Sequence, residues 1–175
     1  SGSTYYQINN SNLSQTIATF SPGSSSWNSP IVYDGNIFFA TTGSDVLYKN
    51  NASNISQVIE SVAKTNCAGD FAIDGDNLYI SCSATFLQLN ASNISQTINQ
   101  YTTSGSVNQR GGITIGGGYA YLTTSSELVY QLNATNISQL IATYSGIGNR
   151  LEAAVAYGNK GYVYTGGWDG FLYQL

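Results

Sequence analysis

The stretch Leu132-Asn133-Ala134-Thr135-Asn136-Ile137-Ser138-Gln139 occurs in close copies at three earlier places, and this repetition constrains the fold more than any other feature. The copies are Ile8-Asn9-Asn10-Ser11-Asn12-Leu13-Ser14-Gln15, Asn50-Asn51-Ala52-Ser53-Asn54-Ile55-Ser56-Gln57 and Leu89-Asn90-Ala91-Ser92-Asn93-Ile94-Ser95-Gln96. Their closing glutamines fall at 15, 57, 96 and 139, in steps of 42, 39 and 43 residues, the period of one supersecondary unit in a repeat array. Each copy carries two Asn-x-Ser/Thr sequences three residues apart, the acceptor pattern for N-glycosylation, which places them on surface loops of an exported protein. The eight candidate acceptors are Asn9, Asn12, Asn51, Asn54, Asn90, Asn93, Asn133 and Asn136.

Aligning the copies reveals the rest of the unit. Short apolar segments at Ile31-Val32-Tyr33, Phe71-Ala72-Ile73, Ile113-Thr114-Ile115 and Ala153-Ala154-Val155-Ala156 run straight into turns rich in Gly, Asp and Asn, such as Asp34-Gly35-Asn36 and Gly116-Gly117-Gly118. These residues supply the positive φ of tight hairpins. A second strand rich in aromatic and β-branched residues follows, then a third ending in Leu47-Tyr48, Leu87-Gln88-Leu89, Tyr130-Gln131-Leu132 and Tyr173-Gln174-Leu175. The Asn-rich stretch leads to a fourth strand, as in Thr97-Ile98-Asn99-Gln100-Tyr101. No segment shows a 3.6-residue apolar period, so almost no helix is expected. Four short strands in a unit of about 42 residues predict an all-β chain, a β-propeller of four four-stranded antiparallel blades. We expect one repeat domain over 1–175, with units at roughly 5–45, 46–85, 86–127 and 128–175.

Composition narrows the chemistry. Charged residues make up 8% of the chain, histidine is absent, and Lys49, Lys64, Arg110, Arg150 and Lys160 are its cations against a net charge of −4. This leaves no basic stripe to neutralise phosphates, so nucleic acid is not an expected partner. No apolar run approaches the ~20 residues that span a bilayer, so membrane insertion is not expected either. The absence of methionine, position 1 included, leads us to expect a processed or excerpted product. Without histidine there is no Ser/His/Asp or Cys/His set and no His-based metal site. Several of the nine carboxylates fall in turns, where local backbone chemistry accounts for them, and no acidic pair recurs between units. No catalytic residue, metal or cofactor is expected, beyond covalent N-glycans. Cys67 and Cys82 flank the turn Asp74-Gly75-Asp76-Asn77, which would set them nearly opposite each other on adjacent strands; a cross-strand disulfide suits an exported chain, with two buried thiols as the alternative.

The third unit, Gly112-Ile113-Thr114-Ile115-Gly116-Gly117-Gly118-Tyr119-Ala120-Tyr121-Leu122 running on to Leu128-Val129-Tyr130-Gln131-Leu132-Asn133-Ala134-Thr135-Asn136, resembles the LVIVD repeat. That family has a Gly-containing turn before Tyr-Ala-Tyr-Val and a strand ending in Asp-Val-Ser-Asn-Pro, and the resemblance implies a β-propeller of prokaryotic surface proteins. Ser29-Pro30-Ile31-Val32-Tyr33-Asp34-Gly35 and Trp168-Asp169-Gly170-Phe171-Leu172-Tyr173 are similar, more weakly, to the PQQ-like propeller repeat. Where the LVIVD pattern has Asp this chain has Asn9, Asn51, Asn90 and Asn133; where it has Pro after the second Asn, this chain has Leu13, Ile55, Ile94 and Ile137. Each departure creates an acceptor sequence. Turn chemistry explains Asn and Ser at such places, but by itself not the exchange of Pro for Ile or Leu.

Arg110 and Arg150 occupy equivalent places before the first strand of two units, near where a propeller has its channel mouth, and are the candidates for contacting an anionic ligand. The third strand occurs five times, because Tyr5-Tyr6-Gln7-Ile8 and Leu172-Tyr173-Gln174-Leu175 are equivalent, so the two ends compete for one slot. A spare strand suggests either an excerpt of a longer array or pairing with the next subunit, a heterologous contact that builds filaments. We therefore expect a non-catalytic structural subunit of a glycosylated extracellular filament or cell-surface layer, with copies of itself as partner, on an archaeon or other microbe. The alternative is a secreted carbohydrate- or protein-binding propeller module, and the third a quinoprotein-like or glycosidase enzyme.

Overall fold

The computed structural model describes residues 3–24, 30–41, 44–67, 70–106, 112–147, 155–158, 160–167 and 169–175. All regular structure among them is strand, in five antiparallel sheets. The first sheet is a hairpin of β1 (Tyr5–Asn9) and β2 (Asn12–Phe20). The second runs β3 (Ile31–Tyr33), β4 (Asn36–Thr41), β5 (Val46–Asn51) and β6 (Asn54–Ala63), and the third β7 (Phe71–Asp74), β8 (Asn77–Cys82), β9 (Thr85–Asn90) and β10 (Thr97–Thr102). The fourth comprises β11 (Thr114–Gly116), β12 (Tyr119–Thr123), β13 (Val129–Asn133) and β14 (Leu140–Tyr144), and the fifth β15 (Ala156–Tyr157), β16 (Val163–Gly166) and β17 (Leu172–Gln174). Of the first strand expected over 153–156, residues 153 and 154 lie outside the described residues.

The turns obey their residues. Asp34 and Gly35 both have positive φ, 47° and 70°, the type I′ signature that matches the twist of the flanking strands. Gly117 and Gly118 repeat it at 61° and 83°. In Asp74-Gly75-Asp76-Asn77 the positive φ falls on Gly75 alone, as a type II′ turn requires.

A bulge recurs in the outer strand of four sheets. The register passes from Gln7↔Ala18 to Ile8↔Thr16, from Lys49↔Glu60 to Asn50↔Val58, from Gln88↔Asn99 to Leu89↔Thr97 and from Gln131↔Ala142 to Leu132↔Leu140. Each shift leaves one residue unpaired: Ile17, Ile59, Ile98 or Ile141, all exposed. Bulges on outermost strands bend the edge and spoil it as a template for further pairing.

The expectation of four four-stranded blades is corrected. Three sheets have four strands, the first has two and the last three, and among the described residues no strand of the first pairs with a strand of the last. The array is open. The cause lies in the hairpin β1–β2, which represents the third and fourth strands of a unit. Its Tyr5 and Phe20 rings stand 4.5 and 5.4 Å from Phe39, and Phe20 stands 5.3 Å from Tyr48, which seats the hairpin on the second sheet. β17 meanwhile takes the third place beside β16, so each of the two equivalent strands has its own partner.

Apolar residues pack between consecutive sheets rather than at one centre. Phe38 and Leu47 of the second sheet meet Leu78, Leu89 and Ile94 of the third. Tyr79 and Phe86 of the third meet Ala120, Leu132 and Ile137 of the fourth. Cys67 and Cys82 form a disulfide, both buried. The bridge is not strand to strand as expected: Cys67 lies in the turn before β7 and Cys82 ends β8, so it ties a loop to the sheet.

The asparagine-rich loops as candidate functional site

Each loop joins the third strand of a unit to the fourth, and the two asparagines in it are held differently. The first is latched. Its Nδ2 donates to the Oε1 of the closing glutamine, Asn9 to Gln15 at 2.7 Å, Asn51 to Gln57 at 3.0 Å, Asn90 to Gln96 at 3.1 Å and Asn133 to Gln139 at 2.9 Å. Its Oδ1 accepts the backbone N–H two residues on, from Ser11, Ser53, Ser92 or Thr135, at 2.8–3.0 Å. This Asx turn closes the loop, and the latch explains why glutamine recurs at 15, 57, 96 and 139.

The second asparagine engages through its oxygen. Oδ1 of Asn12, Asn54, Asn93 and Asn136 accepts the N–H of the serine two residues on at 3.2 Å and that serine's hydroxyl at 2.5–2.7 Å. Among the described residues no acceptor meets its Nδ2. Asn12, Asn54 and Asn93 are exposed and Asn136 is half-buried, as are all four of the latched asparagines. The paired acceptor sequences are therefore chemically unequal.

The residue after the second asparagine has a packing task. Ile55, Ile94 and Ile137 are 6%, 0% and 0% exposed. Isoleucine in place of proline is thus explained by the core between sheets, and glycosylation is not needed to account for it. Leu13, at the same place in the first loop, is 78% exposed: among the described residues no other sheet packs over it.

Each loop after the first is also held from the preceding sheet by the residue two places before that sheet's own loop. Gln7 Nε2 donates to the carbonyls of Ala52 and Ser53, both at 3.1 Å. Lys49 Nζ donates to those of Ala91 and Ser92, both at 3.0 Å, and Gln88 Nε2 to those of Ala134 and Thr135 at 3.3 and 3.5 Å. Glu60 adds acceptors for the N–H groups of Ile94 and Ser95 at 3.0 and 2.9 Å. The loops consequently follow one another along one edge of the array. The recurrence of Gln at 7, 88, 131 and 174 carried this signal, but nothing in the sequence said that its partners lie one repeat away.

Tyr79 reinforces the third such contact, its O–H donating to the Ala134 carbonyl at 2.6 Å. Burial, and then the nearby Asp74 carboxylate, pushes its phenol up from 10.0 to about 12. The folded state favours the neutral phenol, so this contribution is complete below pH 10 and is lost as pH rises towards 12. Stability is expected to fall by about 2–3 kcal/mol over that window from this group. Denaturant titrations at stepped pH test it: Tyr79→Phe should flatten the slope between pH 10 and 12, and an unchanged slope would refute the assignment.

Arg110 and Arg150 lie outside the described residues. Among the described residues no three Cys, Asp or Glu side chains gather as a metal site, and no helix is long and apolar enough to cross a membrane.

No family model and no curated protein matches the chain. Solved structures do. The computationally designed Ika8 protein superposes with a TM-score of 0.75 at 8% identity, over 91% of this chain and 48% of that one. BamB from Moraxella catarrhalis gives 0.73 at 11% identity over 93% and 52%, and the computationally designed Ika4 protein 0.74 at 8% over 92% and 97%. The chain spans about half the length of the first two and nearly all of the third. At such identities the likeness concerns the fold alone: the chain has an all-β, propeller-like fold, laid out as an open array of antiparallel sheets.

Proposed function

We propose that the protein is a non-catalytic structural subunit of a glycosylated extracellular filament or cell-surface layer, made of copies of itself, with the surface of an archaeon or other microbe as its setting. One observation carries this reading: the same solvent-facing loop, with an asparagine whose Nδ2 has no acceptor among the described residues, recurs along one edge of the array. Glycans at that spacing would form a hydrated sheath over a rigid protein axis. The Cys67–Cys82 disulfide fits an oxidising, extracellular location.

The loop geometry makes the reading specific. N-glycosylation replaces a hydrogen on Nδ2, and the first asparagine of each pair has committed one such hydrogen to glutamine in a half-buried amide. Glycopeptide mass spectrometry of native material is expected to find high occupancy at Asn12, Asn54 and Asn93. Occupancy at Asn9, Asn51, Asn90 and Asn133 should be several-fold lower. Unmodified asparagines throughout would sink the glycoprotein reading, and equal occupancy within the pairs would remove the role assigned to the latch.

A further inference from the structure

The contact between consecutive sheets is one arrangement used repeatedly, and its next use is prepared with no described residue in the place of the plug. Between the third and fourth sheets Ile137 packs among Tyr79, Phe86, Ala120 and Leu132, while Gln88 and Tyr79 hold the carbonyl of Ala134 and the N–H of Ala134 donates to Gly118 O at 3.0 Å. Strand register makes Tyr121, Val129 and Gln131 the counterparts of Tyr79, Phe86 and Gln88, and Gly161, Val163 and Leu175 those of Gly118, Ala120 and Leu132. All six line a single cavity of about 340 Å³ between the fourth and fifth sheets. Gln131 Nε2 donates instead to Tyr121 O–H at 3.2 Å, so the two groups that would hold an incoming carbonyl are turned on each other.

The opposite end of the molecule presents the matching part. Tyr6, Ile8 and Leu13 of the first sheet are 63%, 47% and 78% exposed, whereas their counterparts Tyr130, Leu132 and Ile137 are 3%, 0% and 0%. We propose that the Asn9–Gln15 loop of a second copy fills this cavity, Leu13 entering as Ile137 does one sheet earlier, with β1 replacing β17 beside β16.

The exchange is nearly like for like, Tyr5-Tyr6-Gln7-Ile8 against Leu172-Tyr173-Gln174-Leu175. β17 has three residues, and Phe171 and Leu172 are 67% and 76% exposed, so its release gives up chiefly the packing of Tyr173 and Leu175 on Val129, Ile147 and Val163, which Tyr6 and Ile8 of the incoming strand replace. The incoming hairpin brings the loop and, as β2, a fourth strand for the fifth sheet. Gln7 already holds Ala52 and Ser53 of its own chain, so the contact from copy to copy continues the contact from sheet to sheet. Plug and cavity are unlike surfaces at opposite ends, which makes the assembly head-to-tail, and open-ended wherever the rotation from copy to copy does not close a ring. This deepens the filament reading above and rests on it.

The test uses two substitutions at exposed side chains, Leu13→Asp to spoil the plug and Ala142→Trp, on the cavity wall, to block the seat. By sedimentation velocity the 175-residue chain should polymerise with concentration. Each variant should stay monomeric at least about tenfold higher in concentration, the equivalent of one buried leucine. Their equimolar mixture should give a dimer and stop there. Polymerisation by both variants as by the parent would overturn the plug and seat while leaving the polymer. Monomeric variants whose mixture stays monomeric would overturn the pairing, and a parent that is monomeric throughout would remove the polymer and the seat together.

Discussion

Replacing Ile94 by alanine is expected to cost about 2–5 kcal/mol, against less than about 0.5 kcal/mol for Leu13→Ala in the monomer. The two residues hold the same place in the same repeated loop, so propensity and local turn chemistry are shared and cancel in the comparison. What differs is burial. Ile94 is fully enclosed by Leu78, Leu89 and their neighbours from two sheets, and truncation there leaves a cavity that strands pinned by hydrogen bonds cannot close. Leu13 is 78% exposed and has nothing to lose. Denaturant midpoints at micromolar protein measure the difference. Equal losses would mean that these isoleucines are turn residues after all, and that the sheets are not keyed together through their loops.

The comparison also marks where sequence reading stops. Period, hairpin turns and the predominance of strand among the described residues were legible because each is local: Asp34-Gly35 dictates its turn, and four equivalent strands follow from aligned Asn-rich stretches. The Asn9–Gln15 latch was half legible, since both residues recur and stand six apart across one loop. The reach from Lys49 to Ala91 was not, because a period says that units are alike without saying which side chains cross between them. Lysine even replaces glutamine at that place, and the substitution makes sense once the acceptors are seen to be two backbone carbonyls, which an ammonium satisfies as well as an amide. The count of blades failed for a related reason. β1 and β17 carry nearly the same residues, and the choice between one shared slot and two separate sheets was made by Tyr5 and Phe20 packing on Phe39, a contact between units.

Removing the Cys67–Cys82 disulfide, by reduction or by Cys82→Ser, is expected to lower stability by about 3 kcal/mol, the loop-closure figure for the separation of 15 residues between them. The loss should be local in its consequences. The bridge ties the segment before β7 to the end of β8, and both cysteines belong to the cluster formed with Phe38, Leu47 and Leu78 between the second and third sheets. Because an array of sheets is stabilised mainly by neighbouring contacts, hydrogen exchange in the reduced protein should quicken first in β7, β8 and the facing β4. β12 and β13, one interface further on, should keep their protection longer. Uniform acceleration across all five sheets would show instead that the array unfolds as one cooperative body. In the first case the disulfide secures a single joint between neighbouring sheets; in the second it stabilises the whole chain and carries no information about its modular construction.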